Sequence, residues 1–460
     1  MTKKRVERDS MGQLEVEISA LYGPQTQRAI NNFPISGIRM PESFIRALLI
    51  VKYAAASSNK QLKQIPSEIG DAICSAVQKL LEEKNLSQHF PVDIFQTGSG
   101  TSSNMNANEV ISKVASKICK KPVSANDHVN CGQSSNDVIP STIHISASIE
   151  LKKKLIPALL HLARVTRSKA KKLEKNIKTG RTHLMDAMPV RLSQSLEAWA
   201  EQIEHNITRI KDLQKQLQTI AQGGTAVGTG INAHPKFSDT FAKILSKKVG
   251  IKFLPAKNFF SHIGSQDISV SLSGQLKTTA VSMMKISNDL RWMNSGPLAG
   301  LGEIELEALQ PGSSIMPGKV NPVIPEATAM VAAQVIGNDS AITIAGQSGN
   351  FELNVMLPLI ASNLLGSIGL ITNVSYLLAD KAIATFKVNN ENINEALSRN
   401  PILVTALNPI IGYLKAAEIA KLAYKEKRSI IDVAAEHTDL SIEELKNLLN
   451  PAKLTAGGIA

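Results

Sequence analysis

The sequence predicts a mainly α-helical protein that is organised around a central bundle of five long helices. Its 460 residues are 43% hydrophobic but only 4% aromatic, and a core of Ala, Leu and Ile favours helices over sheets. From Leu196 to Ile220, apolar residues recur every three or four positions, which is the period of a single helix face. A helix of about 28 residues is on the order of 40 Å long, and that length is typical of a bundle.

Four further segments carry the same long helical pattern. One of them, from Asn354 to Ala379, contains no charged residue and is long enough to span a bilayer. Because Pro358, Gly366 and Asn373 interrupt it, a helix buried within a soluble bundle is the better interpretation, and we expect no membrane partner. The other three segments are the helix that opens past Pro140 and the stretches at about 268–293 and 327–345.

Length and changes in composition divide the chain into three predicted domains. At roughly 150 residues per domain, a chain of this length corresponds to about three. Residues 1–135 are a mixed, mostly helical domain, residues 136–390 contain the long helices, and residues 391–460 form a small domain of short helices. Shorter helices are predicted at 41–56, at 67–83 with Ser67 as the N-terminal cap, at 104–116, at 414–427 and at 442–449.

The formal net charge of +12 leaves two interpretations of the basic segment 151–181 open. The segment carries eleven Lys and Arg residues against one acid, Glu174, which would suit a nucleic-acid-binding protein. However, four leucines recur in it at helical spacing and no aromatic residues lie between the charges, so a solvated helix face without nucleic acid is favoured. The leucines are Leu151, Leu155, Leu159 and Leu162.

Cysteine usage and the N-terminus indicate a cytoplasmic protein. The three cysteines (Cys74, Cys119 and Cys131) form no CxxC pair, so neither a disulfide framework nor a zinc ribbon is indicated. Cys and His residues show no ligand spacing elsewhere, and we expect neither a metal nor another cofactor. The N-terminal string MTKKRVERDS is charged and no apolar segment follows it, so no secretory signal is expected.

The segment from Gly312 to Glu326, GSSIMPGKVNPVIPE, has the composition of a shaped loop that closes over a small anion. Two glycines and three prolines keep most of it out of a helix. Glu326 falls in the first turn of the helix that follows Pro325, where a carboxylate suits the helix dipole. The loop offers hydroxyls, a cation and an amide, which are groups suited to removing a proton next to a carboxylate: Ser313, Ser314, Lys319 and Asn321.

Two clusters of small polar residues each precede a predicted helix. One is the loop around Ser99, Gly100 and Thr101, and the other is Ser134, Ser135 and Asn136. Backbone amides and hydroxyls at a helix start bind anions, although a Gly/Ser/Thr run is also a common linker.

A third motif, GRTHLMDA from Gly180, reads as a loop that presents Thr182 and His183. A lone histidine is more often structural than catalytic. Glu326, elsewhere in the chain, is a candidate partner for His183, since a carboxylate beside an imidazole fixes its tautomer. The sequence alone does not show that the two residues meet.

Together these motifs resemble those of the class II fumarases in the fumarase/aspartase superfamily, whose three-domain fold is built on a bundle of five long helices. The matching blocks lie between residues 97 and 413 and include TGSGTSSNMNANEV, GQSSNDVIPSTIH, GRTHLMDA and GSSIMPGKVNPVIPEA. Aspartase, an ammonia-lyase, is the alternative, because the string from Pro322 to Pro325 is similar to aspartases. Gly318, where aspartases typically carry alanine, favours fumarase, as do Gln25 to Arg28 and Phe351 to Leu353.

The resemblance implies reversible anti addition of water to fumarate, which gives L-malate in the tricarboxylic acid cycle. Ser313 would be the base at C3, and His183, paired with Glu326, would act on the C2 oxygen through water. The substrate would be bound by Ser99, Gly100, Thr101, Asn104, Ser134, Ser135, Asn136, Thr182, Ser314, Lys319 and Asn321.

The resemblance also implies a secondary anion site and a homotetramer. The secondary site corresponds to Ser124, Asn126 and Asp127, but the family's usual His and Pro are missing from this string, so we expect the site to be weak or absent. Helices on the order of 40 Å long separate the segments that would form the active site. We therefore expect active sites that are shared between subunits of a homotetramer.

Overall fold

The computed structural model describes residues 3–458 and is mostly helical, as predicted. The first two residues of the predicted N-terminal domain and the last two of the predicted C-terminal domain lie outside the described residues. Within that range, strands occur only as two-stranded ribbons, β1–β2, β3–β4, β5–β6, β7–β10 and β8–β9. The strands are β1 (Lys4–Asp9), β2 (Gly12–Glu17), β3 (Ile177–Thr182), β4 (Met185–Arg191), β5 (Thr219–Ile220), β6 (Leu254–Pro255), β7 (Ile304–Glu305), β8 (Gly349–Asn350), β9 (Leu353–Asn354) and β10 (Lys387–Val388).

The chain divides into two compact units, which are described separately. Unit one consists of Met1–Pro157, Asn206–Ala280 and Ala332–Thr372, and unit two of Ala158–His205, Val281–Val331 and Asn373–Ala460. The division into three domains at residues 135 and 390 stays a prediction.

The N-terminal part of unit one consists of medium-length helices, and its helix ends differ in one detail from the prediction. The helix that begins at Ser67 has Pro66 as its N-cap residue and no side-chain cap. Pro66 is held in an extended conformation by its ring, so the helix begins directly after it and Ser67 lies in the first turn. The helices are α1 (Pro24–Asn32), α2 (Glu42–Gln61), α3 (Ser67–Glu82) and α4 (Thr101–Cys119), with a 3-10 turn at Leu86–His89 and a π-helical turn at Ala125–Val129.

The five predicted long helices are present. The first consists of α5 and α6, which a π-helical turn at Leu151–Leu155 joins into one helical stretch. It begins at Ser135 rather than past Pro140, because Ser134 and Asp137 form a capping box at its start and a proline costs only one backbone hydrogen bond there. The helices of the middle region are α5 (Ser135–Glu150), α6 (Ile156–Lys172), α7 (Leu192–Leu217), α8 (Phe237–Val249), α9 (Phe259–Gly264), α10 (Asp267–Met293), α11 (Val323–Gly346) and α12 (Leu357–Leu378).

Polar side chains connect the long helices of unit one to one another. Between α10 and α11, the Lys277 ammonium lies 2.6 Å from the Asp339 carboxylate, and Ser273 donates to the same carboxylate. Asn338 of α11 donates to the Ser367 hydroxyl of α12 at 3.0 Å. Helix α7 is joined to α10 by the Gln275–Asn206 bond and to α5 by the Gln214–Ser148 bond. These contacts place the long helices side by side, as in a bundle.

The two segments that suggested other protein classes are parts of this helical core. The four leucines of the basic segment are fully buried, whereas Lys152, Lys153 and Lys154 are exposed. The stretch Leu357–Ile383 is the one described segment long and apolar enough to cross a membrane, and most of it is buried inside the protein. Both segments are therefore explained by burial of their apolar side chains in a helical core.

The C-terminal part of unit two has its own small apolar core. Buried side chains from Leu397 to Leu449 form one cluster, which includes Leu407, Val433 and Leu445. The predicted helices at 414–427 and 442–449 are confirmed as α15 and α17. The helices are α13 (Asn390–Ser398), α14 (Asn408–Ile411), α15 (Tyr413–Glu426), α16 (Ile430–His437), α17 (Ile442–Leu448) and α18 (Pro451–Leu454), with a 3-10 helix at Pro401–Leu407.

Candidate active site

The N-termini of α4 and α5 open on one cleft of unit one. Helix α4 follows Gly100, whose φ of 72° is left-handed and whose missing Cβ would lie 3.0 Å from Ile139. Helix α5 follows Ser134, and the cleft between these helix starts has a volume of about 670 Å³. Unpaired amides and the dipole at a helix start attract anions. Five of the predicted substrate-binding residues line the cleft: Thr101, Asn104, Ser134, Ser135 and Asn136.

The remaining predicted residues of this region lie next to the cleft-lining ones. The Ser99 hydroxyl lies 2.8 Å from that of Thr101, so the two hydroxyls are hydrogen-bonded to each other. Gly98, one residue earlier, has no room for a side chain, because a Cβ would lie 1.9 Å from the Val355 carbonyl oxygen. This close approach fixes the loop that leads into α4.

A buried carboxylate holds the start of α5 against a second loop of unit one. Asp137 is fully buried and accepts from the backbone amides of Ser134 at 2.9 Å, Gly223 at 3.0 Å and Thr225 at 2.9 Å. Burial raises the pKa of Asp137 to about 6, although these hydrogen bonds favour its charged form. Asn136, one residue earlier, donates to the Ala226 carbonyl at 2.8 Å. Both of the bonded segments line the cleft.

Asn130 and Gln133 form part of the cleft floor, and the sequence interpretation missed both. The Asn130 side-chain oxygen accepts from the amides of Asn104 and Asn108, each at 3.2 Å. The Asn104 amide also donates to the Ser135 hydroxyl at 3.0 Å. The sequence contains a signal for both, because Gln133 directly precedes Ser134 and Asn130 lies four residues before it.

In unit two, the GRTH motif forms a β-hairpin instead of the predicted loop. Strands β3 and β4 pair antiparallel with Thr182 opposite Met185, so His183 and Leu184 are the two turn residues. Both have left-handed φ angles, 55° and 60°, as a type I′ hairpin turn requires. Such a conformation is strained for residues other than glycine, and strain of this kind is concentrated at functional sites. The turn leaves Thr182 and His183 exposed.

A buried ion-pair cluster fixes this hairpin. Glu303, which is 2% exposed, lies 2.5 Å from the Arg181 guanidinium and 2.9 Å from the Lys178 ammonium. Burial lowers the pKa of Lys178, and the negative charge of the neighbouring Glu303 offsets part of this decrease. The cluster joins the strand before His183 to the chain segment that leads into the Gly312–Glu326 loop.

Residues 312–322 form the predicted shaped loop, and hydrogen bonds within the loop close it. Helix α11 begins at Val323, before Pro325 rather than after it as predicted, because a proline is tolerated in the first turn of a helix. The Gly312 amide donates to the Lys319 carbonyl at 2.8 Å, and the Asn321 side chain donates to the Gly312 carbonyl at 2.7 Å. Inside the loop, the Ser313 hydroxyl oxygen accepts from the backbone amides of Ile315 at 3.3 Å and Met316 at 3.1 Å. Ser314 and Lys319 are exposed at its surface.

The predicted pairing of His183 with Glu326 is not formed inside unit two. Glu326 lies in the first turn of α11 and is half-buried, whereas His183 is exposed on its hairpin. Among the described residues of unit two, no hydrogen bond or ion pair joins them. As for metals, residues 3–458 hold no group of three or more His, Cys, Asp or Glu side chains that could bind one.

The predicted secondary anion site opens on the same cleft through Asn126 and Asp127. The Ser124 hydroxyl donates to the Asp127 carboxylate at 2.7 Å and accepts from the Asp127 amide at 3.0 Å. The Ser124 amide in turn donates to the His128 imidazole at 2.9 Å. Because the polar groups of this turn bind one another and one of them is an acid, the turn offers little to an anion.

The helical fold, the polar cleft at two helix starts and the closed, serine-containing loop agree with the class that the motifs predict, a lyase of the fumarase/aspartase type. The lyase family model matches residues 12–337, and the model of the fumarase C C-terminus matches residues 403–456. The chain belongs to the class II fumarase family.

Similar proteins support this assignment along the whole chain. The chain is 66% identical to fumarate hydratase class II 2 of Pseudomonas aeruginosa, with 100% of both chains covered. It is 44% identical to the class II fumarate hydratase of Thermus thermophilus, with 98% of both covered. The crystal structure of class II fumarase from Schistosoma mansoni matches with a TM-score of 0.95 and 37% identity, covering 98% of this chain and 99% of that one.

We expect Ser124→Ala to leave anion binding at the cleft unchanged, because the hydroxyl is bound to Asp127 instead of facing a ligand. Titration calorimetry with succinate, an unreactive four-carbon dianion, should give one site per chain and a Kd within about twofold of the wild type. Ser135→Ala, in the same cleft, should weaken binding by about tenfold, as expected for the loss of a hydrogen bond to a charged group. A large loss for Ser124→Ala, or a second site that it abolishes, would show that the turn binds anions without the histidine.

Proposed function

We propose that this chain catalyses the reversible hydration of fumarate to L-malate, the hydratase step of the tricarboxylic acid cycle. The observation that carries the proposal is the Ser313 hydroxyl, whose oxygen accepts two backbone amides inside a closed loop. The class II fumarate hydratases to which the chain is similar over its full length support the same reaction.

Ser313 is the base that removes the C3 proton of malate. A serine hydroxyl is a poor base unless its alkoxide is stabilised. The amides of Ile315 and Met316 already point at the Ser313 oxygen, and successive amides of this kind form an anion-binding nest. The bonds between Gly312, Lys319 and Asn321 hold the loop in that shape, so the alkoxide is stabilised without rearrangement.

The two carboxylates of the substrate bind where the positive potential of the site is highest, at the helix starts and at Lys319. Removal of the C3 proton adds a further negative charge to the neighbouring carboxylate, so stabilisation of that charge accelerates the reaction. The helix starts at Thr101 and Ser135 provide dipoles and hydroxyls for one carboxylate. Lys319, exposed on its loop, provides a cation for the other, with Ser314 and Asn321 beside it.

His183 acts on the C2 oxygen through a water molecule, with Thr182 beside it and Glu326 as its carboxylate partner. In the single chain the side chains of Thr182 and His183 are exposed. His183 makes no hydrogen bond or ion pair there with Glu326. The pair therefore forms between chains. The apolar neighbours of these groups are also exposed, Leu184 by 63%, Met185 by 69% and Ile315 by 84%, which is typical of surfaces that another subunit covers.

The assembly is a cytoplasmic homotetramer in which each active site takes residues from more than one chain. A two-fold symmetric arrangement of identical bundles brings different helix ends together. This accounts for reactive groups that remain apart within one unit.

Ammonia elimination from aspartate is the less favoured reaction. Gly318, where aspartases typically carry alanine, has a left-handed φ of 80°, which an alanine would adopt only with strain. The similar proteins named above are fumarate hydratases.

We expect the wild type to convert malate to fumarate, followed by absorbance near 240 nm, and Ser313→Ala to reduce kcat by more than about 100-fold. General acid–base groups contribute on this order, and the effect should fall on kcat far more than on KM. Ser398→Ala, an exposed serine of α13, should leave kcat unchanged. Aspartate should give no signal; a signal with aspartate alone would contradict the hydratase proposal, and near-wild-type kcat in Ser313→Ala would remove Ser313 from the mechanism.

We expect inactive Ser313→Ala and His183→Asn proteins to regain activity when they are denatured together and refolded. If Ser313 and His183 of one site come from different chains, random mixing leaves about a quarter of the sites with neither substitution. Each parent refolded alone is the control and should stay inactive. Mixed tetramers that remain as inactive as either parent would place both residues in one chain and contradict the shared site.

A further inference from the structure

Lys52 is a lysine in the core of unit one, directly behind the cleft floor. It lies in α2 on the buried face that also contains Leu48, Ala55 and Asn59, and it is 0% exposed. Lysine is almost never fully buried unless it is paired. A charged residue at the spacing of the apolar positions is the signal that sequence analysis can use for such a site.

The Lys52 ammonium contacts the two floor residues of the cleft. It donates to the Asn130 side-chain oxygen at 2.9 Å and to the Gln133 side-chain oxygen at 3.0 Å. The same Asn130 oxygen accepts the amide of Asn104, which also contacts Ser135. Lys52 thus lies one side chain away from the cleft itself, and its hydrogen bonds orient the two floor residues.

The Lys52 ammonium has no counter-ion among the described residues. No ion pair joins it to a carboxylate, and the charged group that acts on it is Asp137, through space. Burial lowers the pKa of Lys52 to about 7. Titratable groups on the other elements packed against α2 are engaged elsewhere: Cys74 with the Tyr53 carbonyl, Lys248 over the Tyr53 ring, Glu109 with the amides of α1, Asp127 with Ser124 and His89 with Glu83.

We propose that Lys52 is the buried cation of the cleft: it positions Asn130 and Gln133, and it takes up a proton when a dicarboxylate binds above them. The inference rests on the proposed function, since it assigns the missing counter-ion to the substrate dianion. A buried charge without a partner is costly, and a dianion bound in the cleft supplies that partner. Lys52 acts on the substrate through the floor residues and is a positioning residue rather than a catalytic one.

The direction of the proton linkage follows from the lowered pKa. In the free protein Lys52 is mostly neutral at pH 8 and mostly protonated at pH 6.5. Because a bound dianion favours the charged form, binding should take up little proton at pH 6.5 and about one proton per site at pH 8. Asp137, whose pKa is raised to about 6, would give the opposite trend, with uptake that decreases as pH rises.

Succinate binding to the wild type tests this linkage. Calorimetric titrations in two buffers of different ionisation enthalpy, repeated from pH 6.5 to pH 8.5, measure the protons taken up per site. We expect uptake that increases with pH. Absence of uptake at pH 8, or uptake that decreases with pH, would overturn the proposal without any variant.

Two variants and a matched control assign the proton to Lys52. Lys52→Met removes the charge and both hydrogen bonds, whereas Lys52→Gln keeps a donor, and each should abolish the uptake at pH 8. We expect each to weaken succinate binding and to raise KM for malate by about tenfold or more, with a smaller change in kcat. Asn59→Leu removes the bond from α2 to the Cys131 carbonyl in the same floor loop but should keep the uptake, with KM within about threefold.

The outcomes separate this inference from the proposed function. Uptake that persists in a folded Lys52→Gln protein would overturn the role of Lys52 while malate turnover by the wild type stands. Uptake that depends on Lys52 in a protein that fails to dehydrate malate would overturn the function and leave the buried cation of the anion cleft in place. If Lys52→Met does not fold, Lys52→Gln and the pH series of the wild type decide the question.

Discussion

The cleft of unit one depends on the Asp137 carboxylate. It binds the backbone amides of Ser134, Gly223 and Thr225, so a single buried group joins the start of α5 to a loop more than 80 residues away along the chain. Without this carboxylate the amides of the buried residues Gly223 and Thr225 would be donors without a partner, which costs about 1–3 kcal/mol each. The positions of Ser134, Ser135 and Asn136, and hence the proposed anion site, follow from this anchor.

The second constraint is the rigid backbone that holds the Ser313 and His183 side chains at the protein surface. Backbone hydrogen bonds shape the Ser313 loop, and the Glu303 ion pairs hold the His183 hairpin. Both devices place functional side chains on rigid elements while leaving them exposed, so geometry is prepared before a substrate arrives. Preorganisation of this kind is useful only when another surface covers the exposed groups. The oligomer is therefore part of the proposed catalytic mechanism.

Much of this architecture could be predicted from local patterns. The long helices were predicted because apolar spacing at 3.6 residues directly reflects burial on one face, and Leu192–Leu217 and Asp267–Met293 lie close to the predicted bounds. The Ser313 loop was recognisable because glycine and proline restrict the backbone locally. The hairpin at His183 was not, since its turn residues lack the Asn-Gly or Asp-Gly pair that marks a type I′ turn, and its stability comes from Glu303, more than 100 residues away. The position of Lys52 among apolar residues of α2 indicates a buried charge, but its partners Asn130 and Gln133, about 80 residues away along the chain, cannot be identified from local patterns.

The central claim is that the cleft of one chain becomes an active site only when other chains supply Ser313 and His183. The most direct measurement is a crystal structure of the assembled protein with succinate bound. We expect one succinate per cleft, with Ser135 of one chain, Ser313 of a second and His183 of a third around it, and with Glu326 beside that histidine. A succinate surrounded by Ser135, Ser313 and His183 of a single chain would contradict the account.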